Sequence, residues 1–373
     1  MSSERMTPLH VDVEVDSANY EEGFRQILGI IRPGWKGEDI KFKRIQQGML
    51  NILVICYITE EPDDSAMLLR VIGALFAGHR DREREIAAVK LSGELDLGPK
   101  FYCSFKNGYG TGFFPGTTYG WDDDSLNAFR DDRMGRAVAK LLAKFHCKKT
   151  LAKSRESKMG KGIDIIAVAK DEMEKHWSKP MKNKELTEYF YEGLPSKEEL
   201  LVEIDRLAVI RDEMNVEARM LHGDPNPTNI IFNEKTGKMV LVDYEFSGIG
   251  NPLLDLTWYL NFAAIGLYRA DEDDEYHFGP EYVKSYVRAY LTELKRLDGE
   301  DPPTEREFER LYVMLLRFYM IFSLTISMFA LPFLNSSLDR VPDPKQLMSS
   351  YRGRLLYYLK HKDRVFSMPT PQV

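Results

Sequence analysis

The stretch that decides the fold reads Met220-Leu221-His222-Gly223-Asp224-Pro225-Asn226-Pro227-Thr228-Asn229-Ile230-Ile231-Phe232, runs through a turn at 233–238, and continues Met239-Val240-Leu241-Val242-Asp243-Tyr244-Glu245-Phe246. Two short apolar runs flank the turn, and a polar loop precedes the first run. That pattern is typical of two strands, and it predicts that they present the loop and Asp243 at one place.

Asp224, Asn229 and Asp243 have the spacing of a phosphoryl-transfer site. Asp224 and Asn229 stand as in the kinase loop H-R-D-x-x-x-x-N, and Asp243 falls where a second metal-binding Asp should lie. A carboxylate at Asp224 can orient a hydroxyl and accept its proton. Mg²⁺ prefers hard oxygen ligands such as the Asp243 carboxylate and the Asn229 amide oxygen. His222 is expected to brace the loop by structural hydrogen bonds.

A hairpin whose Asp and Asn residues only make turns is the alternative explanation of this stretch. Asp224-Pro225-Asn226-Pro227 does have the composition of a turn. Turn formation alone does not require Asp243-Tyr244-Glu245 directly after the second strand. The whole pattern therefore favours a catalytic loop, with Asp224 and Asn229 as catalytic residues and Asn229 and Asp243 as metal ligands.

Composition and charge argue against several classes of protein. The chain has 373 residues and a net charge of -7 at pH 7, so it lacks a basic field for nucleic acid or an anionic membrane. No uninterrupted apolar run approaches the ~18 residues of a membrane-spanning helix, since Arg317 breaks even 314–334. Residues 1–16 have no apolar signal core, and the three cysteines are scattered, as reduced core thiols are. These features predict a cytoplasmic enzyme.

The N-terminal part is rich in strand-like runs. Strands are predicted at 40–45, 50–58, 66–73, 99–105 and 109–114, with helices at 17–31 and 81–91. Gly48 lies in the first turn, where glycine lets backbone amides approach a phosphate, although an ordinary hairpin also explains it. Asn107-Gly108 predicts a tight hairpin. Arg70, in the third strand, stands where protein kinases have the lysine that contacts the phosphates, and Glu85 is a candidate partner as the αC glutamate is in kinases. A surface arginine on an edge strand and a chance charge pair are the alternatives.

The order of these elements is that of a kinase small lobe, so we predict an α+β, bilobal protein-kinase-like fold. A small β-rich N-lobe is expected at 1–113, and a larger, mainly helical C-lobe at 114–373. In the C-lobe, 125–147 is predicted as one long helix and 148–162 as a surface connection. Further helices are predicted at 163–176, 186–192, 196–215, 251–264, 280–296, 304–330 and 345–360.

Several segments resemble the choline and ethanolamine kinases, within the broader protein-kinase-like group that includes aminoglycoside phosphotransferases. Gly48-Met49-Leu50-Asn51 is similar to the glycine-rich G-G-x-S-N turn of that family, with Gln47 and Leu50 as departures. Residues 68–73 resemble its L-L-R-x-Y-G strand, and 97–102 resemble its L-G-P-K-L-Y. Residues 229–235 and 242–248 look especially like the ethanolamine kinases. The resemblance covers about residues 41–360.

The resemblance implies a role for each matching residue. Asp224 is implied to be the catalytic base, with Asn229 and Asp243 as ligands of Mg²⁺. Contacts to the nucleotide, ATP, are predicted for Gly48, Asn51, Arg70 and Glu85. Contacts to the amino-alcohol substrate are predicted for Asn226, Glu245, Tyr319 and Phe322. Homodimers are common in this family, so a homodimer is among the expected assemblies, without nucleic acid and without a membrane span.

The segments that correspond to the substrate site of the family depart from the family pattern. Asp255 matches the Asp of F-D-x-G-N-H-F, but N-H-F and the acidic residue after it are absent from 256–262. Tyr319-Met320-Ile321-Phe322 stands where the family has W-G-L-W, which keeps an aromatic wall for a cationic head, although such a pair also fits core packing. An aromatic wall favours choline, because its quaternary ammonium donates no hydrogen bonds. The resemblance of residues 229–235 and 242–248 to the ethanolamine kinases favours ethanolamine instead. We expect ATP-dependent phosphorylation of choline, or of ethanolamine, as the first step toward phosphatidylcholine or phosphatidylethanolamine.

Three alternatives stay open. Residues 250–256 also resemble the N-P-x-x-D-L of aminoglycoside phosphotransferases, which allows a different small alcohol as substrate. A protein kinase is disfavoured because no A-P-E-like segment follows Asp243 before Asp255. A catalytically silent kinase-fold binding protein is disfavoured by the presence of Asp224, Asn229 and Asp243 together.

Overall fold

The protein folds into two compact units. A computed structural model describes residues 9–45, 52–72, 82–120, 122–179, 182–266, 277–336, 338, 341 and 343–372. Met1–Thr117 and Ile231–Glu245 make up the first unit, and Thr118–Ile230 and Phe246–Val373 the second. The strand-rich first unit and the helical second unit agree with the predicted α+β class. The lobe boundary predicted after residue 113 stays a prediction.

The first unit is built on a six-stranded sheet with the order β1-β5-β6-β4-β3-β2. Its elements are β1 (Leu9–Val11), α1 (Tyr20–Ile31), β2 (Lys41–Ile45), β3 (Ile52–Tyr57), β4 (Met67–Val71), α2 (Arg82–Glu94), β5 (Phe101–Phe105) and β6 (Gly108–Gly112). β1 runs parallel to β5, and the other neighbouring strands are antiparallel. The predicted strands and helices of this part are thus confirmed, whereas β1 was not predicted.

The β5–β6 hairpin shows why Asn107-Gly108 is needed. A Cβ atom at residue 108 would lie 2.0 Å from the carbonyl oxygen of Arg70, so only glycine fits there. The Asn107 side chain accepts a hydrogen bond from the Val15 N–H at 2.9 Å and donates to the Val15 oxygen at 2.8 Å. The predicted hairpin is confirmed, and its asparagine also fixes the segment that follows β1.

α1 covers the sheet of the first unit with one apolar face. Phe24, Ile27, Leu28 and Ile31 are buried on that face, as their helical spacing predicts. They pack with residues of the sheet in a single apolar cluster that includes Val54 and Leu69. Burying each such side chain contributes about 1.5–3 kcal/mol, so this face stabilises the sheet that carries Arg70.

Five further short strands follow in the chain: β7 (Thr117–Thr118), β8 (Arg219–Leu221), β9 (Ile230–Asn233), β10 (Lys238–Leu241) and β11 (Gly248–Gly250). β9 and β10 are neighbours in a sheet completed by β7. They are the two strands that the apolar runs around 233–238 predict. β8 pairs antiparallel with β11 in the second unit, and β8 leads into the loop that carries Asp224.

Helices make up most of the second unit. They are α3 (Asp123–Phe129), α4 (Asp132–His146), α5 (Lys148–Glu156), α6 (Ile165–His176), α7 (Lys184–Tyr191), α8 (Lys197–Glu213), α9 (Leu253–Ile265), α10 (Pro280–Asp298), α11 (Glu305–Ser327), α12 (Ala330–Asn335) and α13 (Pro344–Phe366). The predicted helices from 163 onward are confirmed in place, except that 304–330 ends earlier and is followed by α12.

Two predictions in this region were wrong. The single helix predicted at 125–147 is divided into α3 and α4, because the Asp131 side chain accepts a hydrogen bond from the Arg133 N–H at 2.7 Å and caps a new helix. The surface connection predicted at 148–162 contains α5. One side of α5 is buried through Thr150, Leu151 and Ser154. This buried face is narrow and lies between lysines, so the sequence shows no clear hydrophobic period that would predict a helix.

α11 is the most apolar long helix. Among the described residues, Glu305–Asn335 is the stretch that is long and apolar enough to cross a bilayer by length and composition, and 78% of its most apolar window is buried within the protein. That degree of burial is what a core helix shows. A capping box at its start, made by Thr304 and Glu307, satisfies the first backbone N–H groups of the helix.

Candidate active site

The loop between β8 and β9 holds the Asp224 carboxylate in one orientation. Asn226 Nδ2 donates to Asp224 Oδ1 at 2.7 Å, and Asn229 Nδ2 donates to Asp224 Oδ2 at 3.0 Å. Pro227 starts a short 3-10 turn that ends at Asn229, and the Asn226 side chain caps this turn by accepting from the Thr228 N–H at 2.9 Å. The loop therefore forms a turn and also has the spacing of a catalytic loop, because the turn directs the Asn226 and Asn229 amides toward the Asp224 carboxylate.

These hydrogen bonds fix which way the amides point. An ionised carboxylate only accepts, so Asn229 must present its NH₂ group to Asp224 and its Oδ1 to the other side. That oxygen is the hard donor that a magnesium ion takes. The Asn226 amide uses both its nitrogen and its oxygen in hydrogen bonds within the loop, and it orients the Asp224 carboxylate. The contact of Asn226 with the substrate stays a prediction.

Asp255 braces the same loop from α9, a role that its match to the family motif did not predict. Its side chain is fully buried. It accepts from the His222 N–H at 2.7 Å, from the Gly223 N–H at 2.9 Å, and contacts His146 Nε2 at 3.1 Å. A buried carboxylate is stable only when its oxygens are bonded in this way. The sequence did contain a signal, because Asp255 is the one charged residue in the otherwise largely apolar helix Leu253–Ile265.

Gly223 is required at its position. It has φ +89°, and a Cβ atom there would lie 2.4 Å from the Phe246 oxygen. A side chain at residue 223 would move the loop away from Asp255. His222, beside it, is fully buried, and its Nδ1 accepts from the Asp224 N–H at 3.3 Å. The bracing role predicted for His222 agrees with these contacts.

Replacing Asp255 by Asn tests this brace. The new NH₂ group would face an N–H of the loop, so one buried donor loses its acceptor and the free energy of unfolding should fall by about 3 kcal/mol. Thermal unfolding followed by circular dichroism measures the change. Asp212→Asn is the matched control, since the Asp212 side chain is 70% exposed and its loss should cost almost nothing. Equal melting temperatures for both variants would show that Asp255 does not brace the loop.

A buried ion cluster in the first unit surrounds Arg70. Arg70 on β4 stands opposite Tyr109 on β6, and its Nη1 donates to the Tyr109 hydroxyl at 3.2 Å. Nη1 also lies 3.4 Å from Glu85 Oε1 and 3.0 Å from Asp243 Oδ1. The predicted pairing of Arg70 with Glu85 is confirmed. The contact with Asp243 was not predicted.

Electrostatics keep this cluster charged. Burial disfavours the charged guanidinium, but the Asp243 and Glu85 carboxylates outweigh that penalty and hold the pKa of Arg70 well above its ordinary value. Burial raises the pKa of Tyr109 well above its ordinary value, against the opposing effect of Arg70. Tyr109 therefore stays protonated and donates to Glu85 Oε1 at 3.1 Å. Arg70 is a permanent positive charge in a fixed place.

Asp243 is the accessible member of this cluster. Its side chain is 38% exposed, against 2% for Glu85. It follows β10 with φ +66°, a conformation that Asp and Asn tolerate better than other residues with a Cβ atom. The neighbouring Tyr244 is buried and donates to the Leu241 oxygen at 2.6 Å, which fixes the backbone around Asp243. A carboxylate is thus held at the surface of the first unit with one oxygen on Arg70.

Asp243 in the first unit and Asn229 in the second unit each present an oxygen of the type that magnesium binds. Among the described residues, no three His, Cys, Asp or Glu side chains are grouped as a protein-only metal cage would require. Magnesium in phosphoryl transfer is instead held by one or two protein oxygens together with phosphates and water. Asp243, with its exposed carboxylate, and Asn229, with its outward amide oxygen, are donors of that type.

The other predicted site residues have varied surroundings. Gly48 and Asn51 lie outside the described residues. Glu245 is half-buried in the first unit. Tyr319 is 9% exposed, and its hydroxyl lies 2.7 Å from His277 Nδ1. Phe322 is fully buried, with its ring centroid 5.2 Å from that of Trp258. Their roles toward nucleotide or substrate stay predictions.

Comparison with known proteins gives a consistent family. The choline/ethanolamine kinase family model matches residues 42–340, well over half of the chain. Human ethanolamine kinase 1 is 26% identical over 304 residues, which cover 80% of this chain and 63% of that protein, so the match spans less than two thirds of the human protein. A probable ethanolamine kinase of Nematostella vectensis is 25% identical over 319 residues, 84% of this chain and 86% of that protein.

Solved structures agree at the level of the fold. The crystal structure of choline kinase from Cryptosporidium parvum matches with a TM-score of 0.68 at 18% identity, over 92% of this chain and 96% of that chain. The predicted α+β, bilobal protein-kinase-like fold is thereby confirmed.

Proposed function

The chain belongs to the choline/ethanolamine kinase family, and on that premise we propose that it is a kinase that transfers the γ-phosphoryl group of ATP to the hydroxyl of ethanolamine, with choline as the second candidate. The observation that carries this proposal is the Asp224 carboxylate, oriented by two amides in a loop that Asp255 braces. A hydroxyl nucleophile needs such a fixed acceptor.

In the proposed reaction Asp224 orients the substrate hydroxyl and receives its proton. The hydroxyl oxygen bonds to the γ-phosphorus as the bond from that phosphorus to the bridging oxygen breaks, which leaves ADP. Arg70 neutralises charge on the phosphates, and its raised pKa keeps it positive throughout. Asn229 and Asp243 would hold Mg²⁺, which supplies Lewis-acid stabilisation of the phosphate oxygens when it is bound.

Ethanolamine is the preferred substrate in this proposal. The curated relatives described above carry the name ethanolamine kinase. The expectation of choline rested on an aromatic wall at Tyr319 and Phe322, yet Phe322 is fully buried and the Tyr319 hydroxyl is bonded to His277. A primary ammonium can instead be bound by hydrogen bonds to carboxylates or carbonyls. Choline stays the second candidate because the indole of Trp258, the best cation–π partner, lies beside Phe322.

A panel of alcohols with ATP and Mg²⁺ tests the proposal. Ethanolamine and choline should be phosphorylated, and ADP should form in equal amount. Turnover of an aminoglycoside or another unrelated alcohol in their place would support the aminoglycoside-type alternative. Absence of ADP formation with every alcohol would support a silent binding protein and overturn the proposal.

Replacing Phe322 by Leu tests the aromatic part of the substrate site. Leucine keeps apolar bulk but removes the ring that packs against Trp258, at 5.2 Å between ring centroids. If the Trp258 indole binds the cationic head, the Michaelis constant for choline should rise by about fivefold, on the order of 1 kcal/mol, and that for ethanolamine by less. Steady-state kinetics with both amines measures the ratio. Phe308→Leu, at the start of the same helix, is the matched control and should change neither constant. An equal rise for both amines would reduce Phe322 to a core residue.

We also propose that the enzyme acts in the cytoplasm on ATP and a small amino alcohol, and that it forms a homodimer. Light scattering of the purified protein tests the assembly, because a dimer has twice the chain mass of 43.1 kDa. A mass equal to that of one chain would exclude it.

A further inference from the structure

A cavity of about 500 Å³ lies in the second unit, lined by α8, α11, the end of α13 and the segment that follows it. Arg310, Met314 and Arg317 line it from α11, at a spacing that puts them on one helix face. Arg206 and Ile210 line it from one face of α8 in the same way. Its described lining includes none of the residues proposed for phosphoryl transfer, so the inference from it is independent of the proposed function.

The cavity carries an excess of positive charge. Three guanidinium groups, those of Arg206, Arg310 and Arg317, face one carboxylate, that of Glu213. Within the part of the chain that the structure describes, neither Arg310 nor Arg317 forms an ion pair with a carboxylate. The Arg317 Nη2 instead donates to the Met368 oxygen at 2.6 Å. Grouping like charges is unfavourable unless an anion offsets them, and the chain as a whole is negative, with a net charge of -7.

The neighbour of Arg206 offsets its charge only in part. Arg206 Nη1 lies 3.5 Å from Glu203 Oε1, but the same oxygen accepts from Lys362 Nζ at 2.8 Å. Glu203 is therefore shared between two cations. The surplus of positive charge in the cavity remains.

Apart from Thr370, the rest of the lining is apolar. Ile210, Met214, Met314 and Phe366 supply it, and the guanidinium of Arg206 lies 5.8 Å from the centroid of the Phe366 ring. A volume of about 500 Å³ is in the range of small-molecule sites, roughly 300–1,000 Å³. Charged groups beside an apolar wall suit a ligand with one anionic end and one apolar end.

We propose that this cavity binds a small anionic amphiphile, a phosphate monoester with a short apolar chain. A phosphate monoester carries a charge of about -1.5 to -2 at pH 7, which matches three guanidinium groups opposed by one carboxylate. Guanidinium groups bind phosphate through paired N–H donors. The chain of the ligand lies against Met314 and Phe366, and its head meets Arg310 and Arg317.

Calorimetry with three probes tests the proposal on the full chain. Octyl phosphate, below its micelle concentration, should bind one to one and at least tenfold more tightly than inorganic phosphate, and octanol should bind more weakly than octyl phosphate. Arg310→Gln and Arg206→Gln should each weaken octyl phosphate by about tenfold, the scale of one charged hydrogen bond. Glu213→Gln should tighten it, because it removes the opposing charge. Arg306→Gln, exposed on the same helix as Arg310 and outside the cavity, is the matched control.

Two results would overturn the proposal. If the Arg310 and Arg206 variants keep their melting temperatures and bind octyl phosphate as the wild type does, the cavity is not the site. If Asp243→Asn abolishes binding of the probe while Arg310→Gln does not, the probe occupies the nucleotide site. Tighter binding by Glu213→Gln together with weaker binding by both arginine variants supports the site.

Discussion

Asp224→Asn will lower turnover by roughly 10² or more while ATP binding persists, the scale of general-base and positioning effects. Asparagine keeps the size of the side chain but cannot accept the proton of the substrate hydroxyl. It also places an NH₂ group against one of the two amides that now donate to the carboxylate, those of Asn226 and Asn229. Single-turnover kinetics and calorimetry with ATP measure the two effects separately.

The control for this variant is Asp205→Asn, since the Asp205 side chain is 66% exposed on α8 and lies outside the loop. It should keep full turnover. Retained turnover in Asp224→Asn would assign the base to another residue. Loss of ATP binding in that variant would show that Asp224 acts mainly by holding the loop in shape.

Asp243→Asn will lower turnover in the presence of magnesium by roughly 10³, because metal-held charge stabilisation is worth several kcal/mol. Asparagine is chosen over alanine because residue 243 has φ +66°, which asparagine tolerates. The fold should be unchanged, since Arg70 keeps Glu85 at 3.4 Å and Tyr109 at 3.2 Å. Steady-state rates over a range of magnesium concentrations measure the loss.

Asp96→Asn is the matched control in the same unit, because the Asp96 side chain is 79% exposed and pairs only at the surface with Lys238. It should leave the magnesium dependence unchanged. Near wild-type turnover of Asp243→Asn, with an unchanged circular dichroism spectrum, would show that Asp243 does not hold the metal.

The local sequence pattern was enough to predict the strand, the helix and the loop that carry the candidate site residues. An apolar strand with one basic residue placed Arg70, and a helix with Glu85 in its first turn placed its partner. The spacing placed Asp224 and Asn229 in one loop, where their side chains do meet. These features depend on short segments of the chain, in which the hydrophobic period and the turn-forming residues determine the structure.

Contacts between distant segments could not be predicted in the same way. Arg70 and Asp243 are 173 residues apart, and nothing local shows that their side chains meet. β1 has three residues, of which only Val11 is buried, so it becomes a strand through its pairing with β5. The brace from Asp255 was within reach, since a lone carboxylate in a buried helix must find donors. The break between α3 and α4 was also within reach, because Asp131 is a typical helix cap.

The assignment of this chain as an amino-alcohol kinase is tested most directly by a competition between ethanolamine and choline at equal concentration, with ATP and Mg²⁺, in which phosphorus NMR identifies the products. We expect phosphoethanolamine as the main product, and we expect the two phosphorylated amines together to equal the ADP formed. Formation of ADP without either phosphoamine, or no reaction at all, would contradict the assignment of this chain as an amino-alcohol kinase.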